Sequence, residues 1–322
     1  MEEAILNFPK QFEFKPEVVN AEKLLAGNSL VIGGMGGSHL AADILAMLAP
    51  GLVRKIHMDY WSEDLAGDAL KDCLFVASSY SGNTEETIDF AKKALASGRK
   101  VAVMATGGKL LELAKEKGLP YVEIPKTGIQ PRSALGYGIM ALAKISGRVE
   151  LVTELARLNE TLDSSAQKVA GAELAQKLFG KVPVIYSSLK NQPIAYNWKI
   201  KFNETGKMPA FYNVFPELNH NEMTGFDLNE KSKELGARFY FIFLYDDADH
   251  PMIKKRMDVC KKLYQDRGLT VTEVNLFGKN RIEKILQSLL LADWTALKSA
   301  ELYGSEAEQV PMVEEFKKLI EE

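Results

Sequence analysis

Two stretches of the chain repeat one pattern: short, nearly all-apolar runs ending in glycine or serine, each followed by a segment of helical period. Such runs read as strands buried on both faces, and their alternation with helices predicts parallel sheets covered by helices. In the first half, strands are expected at 29–33, 54–59, 73–78, 100–104 and 121–124, with helices at 38–49, 85–97 and 109–117. Pro50-Gly51, Gly98 and Gly118 close those helices. A mainly helical stretch covers about 134–178. The pattern then restarts, with strands at 182–187, 210–214, 238–244 and 270–274 and helices at 193–204, 252–267, 282–302 and 313–322. The length of 322 residues suits two domains, and we place their division near Gly147, giving 1–150 and 151–322. The expected fold class is α/β: two subdomains, each a mostly parallel sheet flanked by helices in an αβα sandwich.

Charge and cysteine content narrow the function classes. A net charge of −3 and a pI near 6.0 leave no basic surface for nucleic acid or anionic lipid. An anionic ligand must then be held by local dipoles and a few placed cations. Cys73 and Cys260 lie far apart, with neither CxxC nor Cys/His ligand spacing, so neither a disulfide framework nor a zinc site is expected. The start, Met1-Glu2-Glu3-Ala4, lacks the basic and apolar regions of a signal peptide, and no apolar run is long enough to span a bilayer. The expectation is a soluble, cytoplasmic protein with no nucleic-acid or membrane partner. The acidic loop 245–250 follows an apolar strand and reads as solvated rather than metal-binding.

Two loops carry a phosphate signal. Gly33-Gly34-Met35-Gly36-Gly37-Ser38 and Ser78-Ser79-Tyr80-Ser81-Gly82-Asn83-Thr84 each connect a strand's carboxyl end to a helix. Open α/β sheets place ligands there. Glycine permits close backbone approach, and a helix N-terminus offers free N–H groups and partial positive charge to a dianion. Ser79, Ser81 and Thr84 add hydroxyls, and Ser38, with Gly36 and Gly37, adds a second wall. The bland alternative makes the glycines a turn and Thr84 a plain N-cap. The spacing is neither GxGxxG nor a Walker A loop.

These motifs resemble a known family. Ser79-Tyr80-Ser81-Gly82-Asn83-Thr84-Glu85-Glu86-Thr87 is similar to the phosphosugar loop of sugar-isomerase (SIS) domains. Gly34-Met35-Gly36-Gly37-Ser38, Pro131-Arg132-Ser133-Ala134-Leu135-Gly136-Tyr137, Asn203-Glu204-Thr205-Gly206-Lys207 and Pro216-Glu217-Leu218-Asn219-His220-Asn221-Glu222 resemble, in order, segments of the bifunctional phosphoglucose/phosphomannose isomerases. The resemblance implies two SIS domains, no metal and no cofactor. It implies conversion of glucose 6-phosphate, and also mannose 6-phosphate, into fructose 6-phosphate through a cis-enediolate. It further implies a homodimer in which the histidine reaches the neighbouring subunit's site.

That chemistry needs an acid/base to open the ring, a base to carry a proton between C2 and C1, and a cation beside the enediolate. Glu204 ends a helical stretch before Gly206; alone it would read as a solvated glutamate, and the resemblance makes it the base. His220 is one of four histidines and sits in a polar loop; the resemblance assigns it ring opening. Arg132, after Pro131, is the permanently charged cation for the enediolate, with phosphate binding or a surface charge as its other readings. Lys317, on the last helix, resembles the family's C-terminal site lysine. The preceding segment departs from the family's Asp-Pro pattern, and Val310 falls where a threonine linked to mannose-phosphate use can occur. His39 reads as helix-surface packing. The competing functions are a non-catalytic sugar-phosphate sensor and an amino-sugar phosphate isomerase; the latter often carries a glutaminase half or a Schiff-base lysine, and this sequence has no glutaminase domain.

Overall fold

The computed structural model describes residues 1–24 and 29–321; Glu322, the last residue of the expected terminal helix, lies outside the described residues. The chain divides into two compact units, Leu6–Asp163 and Ser164–Glu322 joined by Met1–Ile5. It opens with helix α1 (Glu2–Leu6).

The earlier unit contains β1 (Leu30–Gly33), α2 (Gly37–Leu48), β2 (Val53–His57), β3 (Leu74–Ser78), α3 (Glu85–Ala96), β4 (Lys100–Ala105), α4 (Gly108–Lys117), β5 (Tyr121–Glu123), α5 (Leu135–Ile145), α6 (Val149–Ala156) and α7 (Leu158–Thr161). Its five strands pair in parallel in the order β2-β1-β3-β4-β5. β1 and β3 are buried along their whole length, as apolar runs covered on both faces must be. Phe75 and Phe90 stack at 5.8 Å between sheet and helix α3. The strand order reverses between β1 and β3, so a crevice opens beyond their carboxyl ends.

The later unit contains α8 (Lys168–Leu178), β6 (Val182–Ser188), α9 (Gln192–Glu204), β7 (Phe211–Phe215), α10 (Lys233–Gly236), β8 (Phe239–Tyr245), α11 (Pro251–Asp266), β9 (Thr270–Asn275), α12 (Arg281–Leu302) and α13 (Pro311–Glu321). Its sheet is parallel, in the order β7-β6-β8-β9. Its core includes an aromatic cluster of Tyr186, Phe215, Phe241, Phe243 and Tyr264. Helix α12 is buried for most of its length. Helix α8 approaches it closely because Gly171 has no side chain: a Cβ there would lie 2.5 Å from that of Trp294. Helix α13 differs. Met312, Phe316, Leu319 and Ile320 on it are all more than half exposed. No helix among the described residues is long and apolar enough to cross a membrane.

Candidate active site

The two loops expected to hold phosphate meet in the crevice between β1 and β3. Ser38 Oγ accepts the Tyr80 amide at 2.9 Å, and Ser78 Oγ donates to the Ser38 carbonyl at 2.8 Å, so the loops are tied together. Helix α2 starts after Gly36, at φ 51°, and a Cβ on Gly37 would strike the Arg132 amide nitrogen at 2.7 Å. Gly37 thus lets the Pro131–Ser133 turn, and with it buried Arg132, close against the loop.

Within the serine loop the hydroxyls have separate jobs. Ser79 is buried; its Oγ accepts the Gly82 amide at 3.0 Å and lies 2.8 Å from Thr84 Oγ1. Either hydroxyl can donate across this contact, and whichever accepts keeps a proton for a ligand in the crevice. Thr84 precedes α3 but does not cap it by its side chain, so the bland N-cap reading is replaced by a hydroxyl relay. The helix start stays open to an anion. Ser81 is exposed, its Oγ accepting the Asn83 amide at 3.2 Å. Sequence reasoning missed the support behind this loop. Thr106 Oγ1 donates to the Tyr80 carbonyl at 2.7 Å, and the Leu110 amide to Gly82 O at 2.9 Å. It also passed over Thr87, whose Oγ1 is buried without a partner among the described residues. The Thr-Gly-Gly run 106–108 after β4 was the available signal.

Glu204 is the last residue of α9, half-buried. Its helix is held by two buried contacts to α12: Lys201 Nζ to Asp293 Oδ1 at 2.6 Å and Trp198 Nε1 to Ser288 Oγ at 3.0 Å. The turn after it is tight. Gly206 would bring a Cβ 2.8 Å from the Phe202 carbonyl, and Lys207 takes φ 53°. Lys207 Nζ donates to the Glu204 carbonyl at 2.6 Å and to the Gln309 carbonyl, which brings the segment before α13, Val310 included, to the end of α9.

His220 ends a turn, Glu217–His220, that follows β7; its side chain is exposed. Glu204 and His220 are not brought together. Helix α9 returns antiparallel to β6, so Glu204 lies where the strands of this sheet begin, whereas His220 lies beyond where β7 ends. The five residues of β7 span about 16 Å. Lys317 is exposed on α13 and pairs with Glu314 at 2.8 Å. His39, expected on a helix surface, is buried, with Nδ1 3.0 Å from the Asp43 carboxylate one turn on.

The second sheet also reverses its strand order, between β6 and β8, but its crevice is filled from within. Buried Asp246 meets Arg281 at 2.7 Å, Lys284 at 3.2 Å and Asn191 at 3.3 Å. Burial opposes its ionisation, but the Ala248 amide, Asn191 and Lys284 outweigh burial and hold the carboxyl well below the usual range. Asp249, hydrogen-bonded to Ser188 at 2.8 Å, is raised instead, chiefly by burial. A protein carboxylate stands where the first sheet leaves room for a ligand.

Comparison with known proteins decides the family. A bifunctional phosphoglucose/phosphomannose isomerase of Aquifex aeolicus (strain VF5) is 34% identical over 319 residues, covering 96% of this chain and 95% of that protein. The chain belongs to the bifunctional phosphoglucose/phosphomannose isomerase family. An enzyme of the same name from Caldicellulosiruptor bescii is 31% identical over 349 residues, covering all of this chain and 99% of the other. The family model described as the bacterial phospho-glucose isomerase C-terminal SIS domain matches residues 167–320. Among solved structures, a hypothetical protein of Thermus thermophilus superimposes with a TM-score of 0.73 at 17% identity, covering 99% of this chain and 87% of that one, which shows a shared fold.

Proposed function

We propose that this member of the family interconverts glucose 6-phosphate, and also mannose 6-phosphate, with fructose 6-phosphate. The observation that carries the reading is the uncapped start of α3 beside the Ser79–Thr84 relay, in the crevice where an α/β sheet binds ligands. The phosphate sits on Ser79, Ser81, Thr84 and the loop at Gly36, Gly37 and Ser38. His220 takes the proton of the C1 hydroxyl and returns one to the ring oxygen, opening the ring. Glu204 then removes the C2 proton and delivers it to C1, and the Arg132 guanidinium holds the negative oxygen of the enediolate. Hydrogen only moves between adjacent carbons, so the step is redox-balanced within the sugar. One enediolate serves both aldoses, because they differ only at C2. Lys317 is proposed as a further contact to the sugar.

The separation of Glu204 from His220 within one chain supports a homodimer in which the partner subunit's His220 serves the site of this chain's Glu204. The exposed apolar face of α13 supports association as well. A cytoplasmic location suits a sugar-phosphate substrate. The test is fructose 6-phosphate formation from glucose 6-phosphate with EDTA present, run beside mannose 6-phosphate. Binding of the sugar phosphates without turnover would instead support the sensor reading.

A further inference from the structure

The loop carrying His220 is fastened at a point that the mechanism above does not use. Two residues beyond His220, the half-buried Glu222 opens the turn Glu222–Phe226. Its Oε1 accepts the phenol of Tyr186, from the middle of β6, and its Oε2 accepts Nδ2 of Asn213, from the middle of β7. Both donors are themselves held. Tyr186 is fully buried, with Phe215, Phe241 and Phe243 at ring distances of 5.4–5.9 Å. The Asn213 amide is oriented because its Oδ1 accepts the Val214 amide at 2.8 Å. Apolar anchors flank the clamp: Leu218 lies in the aromatic core, and Phe226 packs on Phe241 at 4.8 Å. Between them, Asn221 Nδ2 donates to Glu217 Oε1 at 2.7 Å, and Asn221 Oδ1 accepts the Glu222 amide. His220 itself makes no side-chain hydrogen bond or ion pair among the described residues. Its place in space is therefore set by its backbone.

We propose that Glu222, gripped by Tyr186 and Asn213, is the positioning residue for His220, fixing the loop so that the imidazole meets the ring oxygen and C1 hydroxyl. A carboxylate taken partly out of water is costly unless each oxygen is paired, and here each has a donor from a different strand. Two such points, on adjacent strands, fix both the height and the tilt of the turn. Burial keeps the Tyr186 phenol protonated, since its ionisation is pushed far above the ordinary range, first by burial, then by Tyr264 and Glu222. The donor thus persists wherever the protein is folded. This inference rests on the assignment of ring opening to His220.

The experiment separates ring opening from the rest of turnover. Exchange between the α and β anomers of glucose 6-phosphate, read by exchange NMR, reports ring opening alone. Affinity for 6-phosphogluconate, which is held by its phosphate without needing ring opening, reports the remainder of the site. Glu222→Gln is expected to slow anomer exchange on the order of tenfold to a hundredfold, as a misplacement of about 1 Å does, with 6-phosphogluconate affinity within about twofold of wild type. Tyr186→Phe, which keeps the ring packing, is expected to slow exchange in the same direction by less. His220→Asn is the reference and should abolish catalysed exchange. If exchange is unchanged in both Glu222→Gln and Tyr186→Phe while His220→Asn abolishes it, the clamp is refuted and the His220 assignment stands. A parallel fall in 6-phosphogluconate affinity would make Glu222 a general structural residue and also refute positioning. Wild-type exchange in His220→Asn would overturn the His220 assignment itself.

Discussion

Replacing Gly82 by alanine tests whether the serine loop has the shape the proposed phosphate site requires. Gly82 holds φ 73°, and a Cβ built there lies 1.8 Å from the carbonyl oxygen of Gly107. The left-handed conformation alone costs a non-glycine residue roughly 1–2 kcal/mol. The clash adds to it, because backbone must retreat by about 1 Å or more, and overpacking of that kind costs about 1–3 kcal/mol. The retreat strains the Gly82 amide bond to Ser79 Oγ at 3.0 Å and the Leu110 bond to Gly82 O at 2.9 Å, which set the loop's curvature. A total near 2–5 kcal/mol corresponds to a melting temperature lower by roughly 5–15 °C. Gly98→Ala is the control: φ is 69°, with nothing within 4 Å of the added carbon and no place in the crevice. It should lose only the conformational part. In steady-state assays Gly82→Ala is expected to raise KM for glucose 6-phosphate at least about tenfold, since a misaligned cradle loses hydrogen bonds to a charged group worth about 1.5–3 kcal/mol each. Gly98→Ala should leave KM unchanged. Equal stability losses in the two variants, or an unaltered KM in Gly82→Ala, would refute the reasoning.

Three further outcomes follow from the same structure. Lys201→Met removes one member of the buried Lys201–Asp293 pair joining α9 to α12 and is expected to destabilise by about 3–5 kcal/mol in urea unfolding, with a loss of turnover as Glu204 loses its support; a loss below about 1 kcal/mol would contradict a buried, energetically coupled pair. Thr87→Val removes a buried hydroxyl that has no partner among the described residues, so stability should hold or rise by up to about 1 kcal/mol in thermal melts, and a clear fall would point to an unseen partner. Burial pushes the Cys260 thiol up to about 12 and that of Cys73 upward too. Native protein at pH 8 should therefore resist iodoacetamide at both thiols until unfolded. Because the unfolded thiols ionise first, their contribution to stability is full below pH about 8.5 and falls as pH rises toward 12. Rapid alkylation of the native protein would contradict this.

The strands were legible because burial on both faces leaves an unbroken apolar run, as in Leu30–Gly33 and Phe239–Tyr245, and glycine or an acidic loop marks where each ends. Helix ends were legible where Gly98 and Gly118 take positive φ. In the helical stretch 134–178 the break near Gly147 is legible, since that glycine takes φ 72° just after α5, whereas the breaks between α6, α7 and α8 carry no glycine or proline to mark them. The serine loop stood out because hydroxyls, glycine and a helix start coincide. Its internal pairing, Ser79 Oγ to the Gly82 amide and to Thr84 Oγ1, is a matter of geometry that spacing cannot convey. His39 shows the same limit: a histidine in an apolar helix reads as surface, yet it is buried beside a half-buried aspartate four residues on. Glu204 and His220 carry no local mark at all, and only the topology of the second sheet reveals that they lie at opposite ends of β7. Nor does the sequence reveal that Asp246 fills the second crevice, since its cations come from 35 and 38 residues away.

Subunit complementation tests the account most directly. Glu204→Gln and His220→Asn chains, each inactive as a homodimer, are coexpressed so that they pair at random. In the mixed dimer one site collects both substitutions and the other neither, so the mixture should recover roughly a quarter of wild-type glucose 6-phosphate turnover. No recovery, with mixed dimers demonstrated by differently tagged chains, would contradict a site in which one chain's carboxylate works with the partner's imidazole.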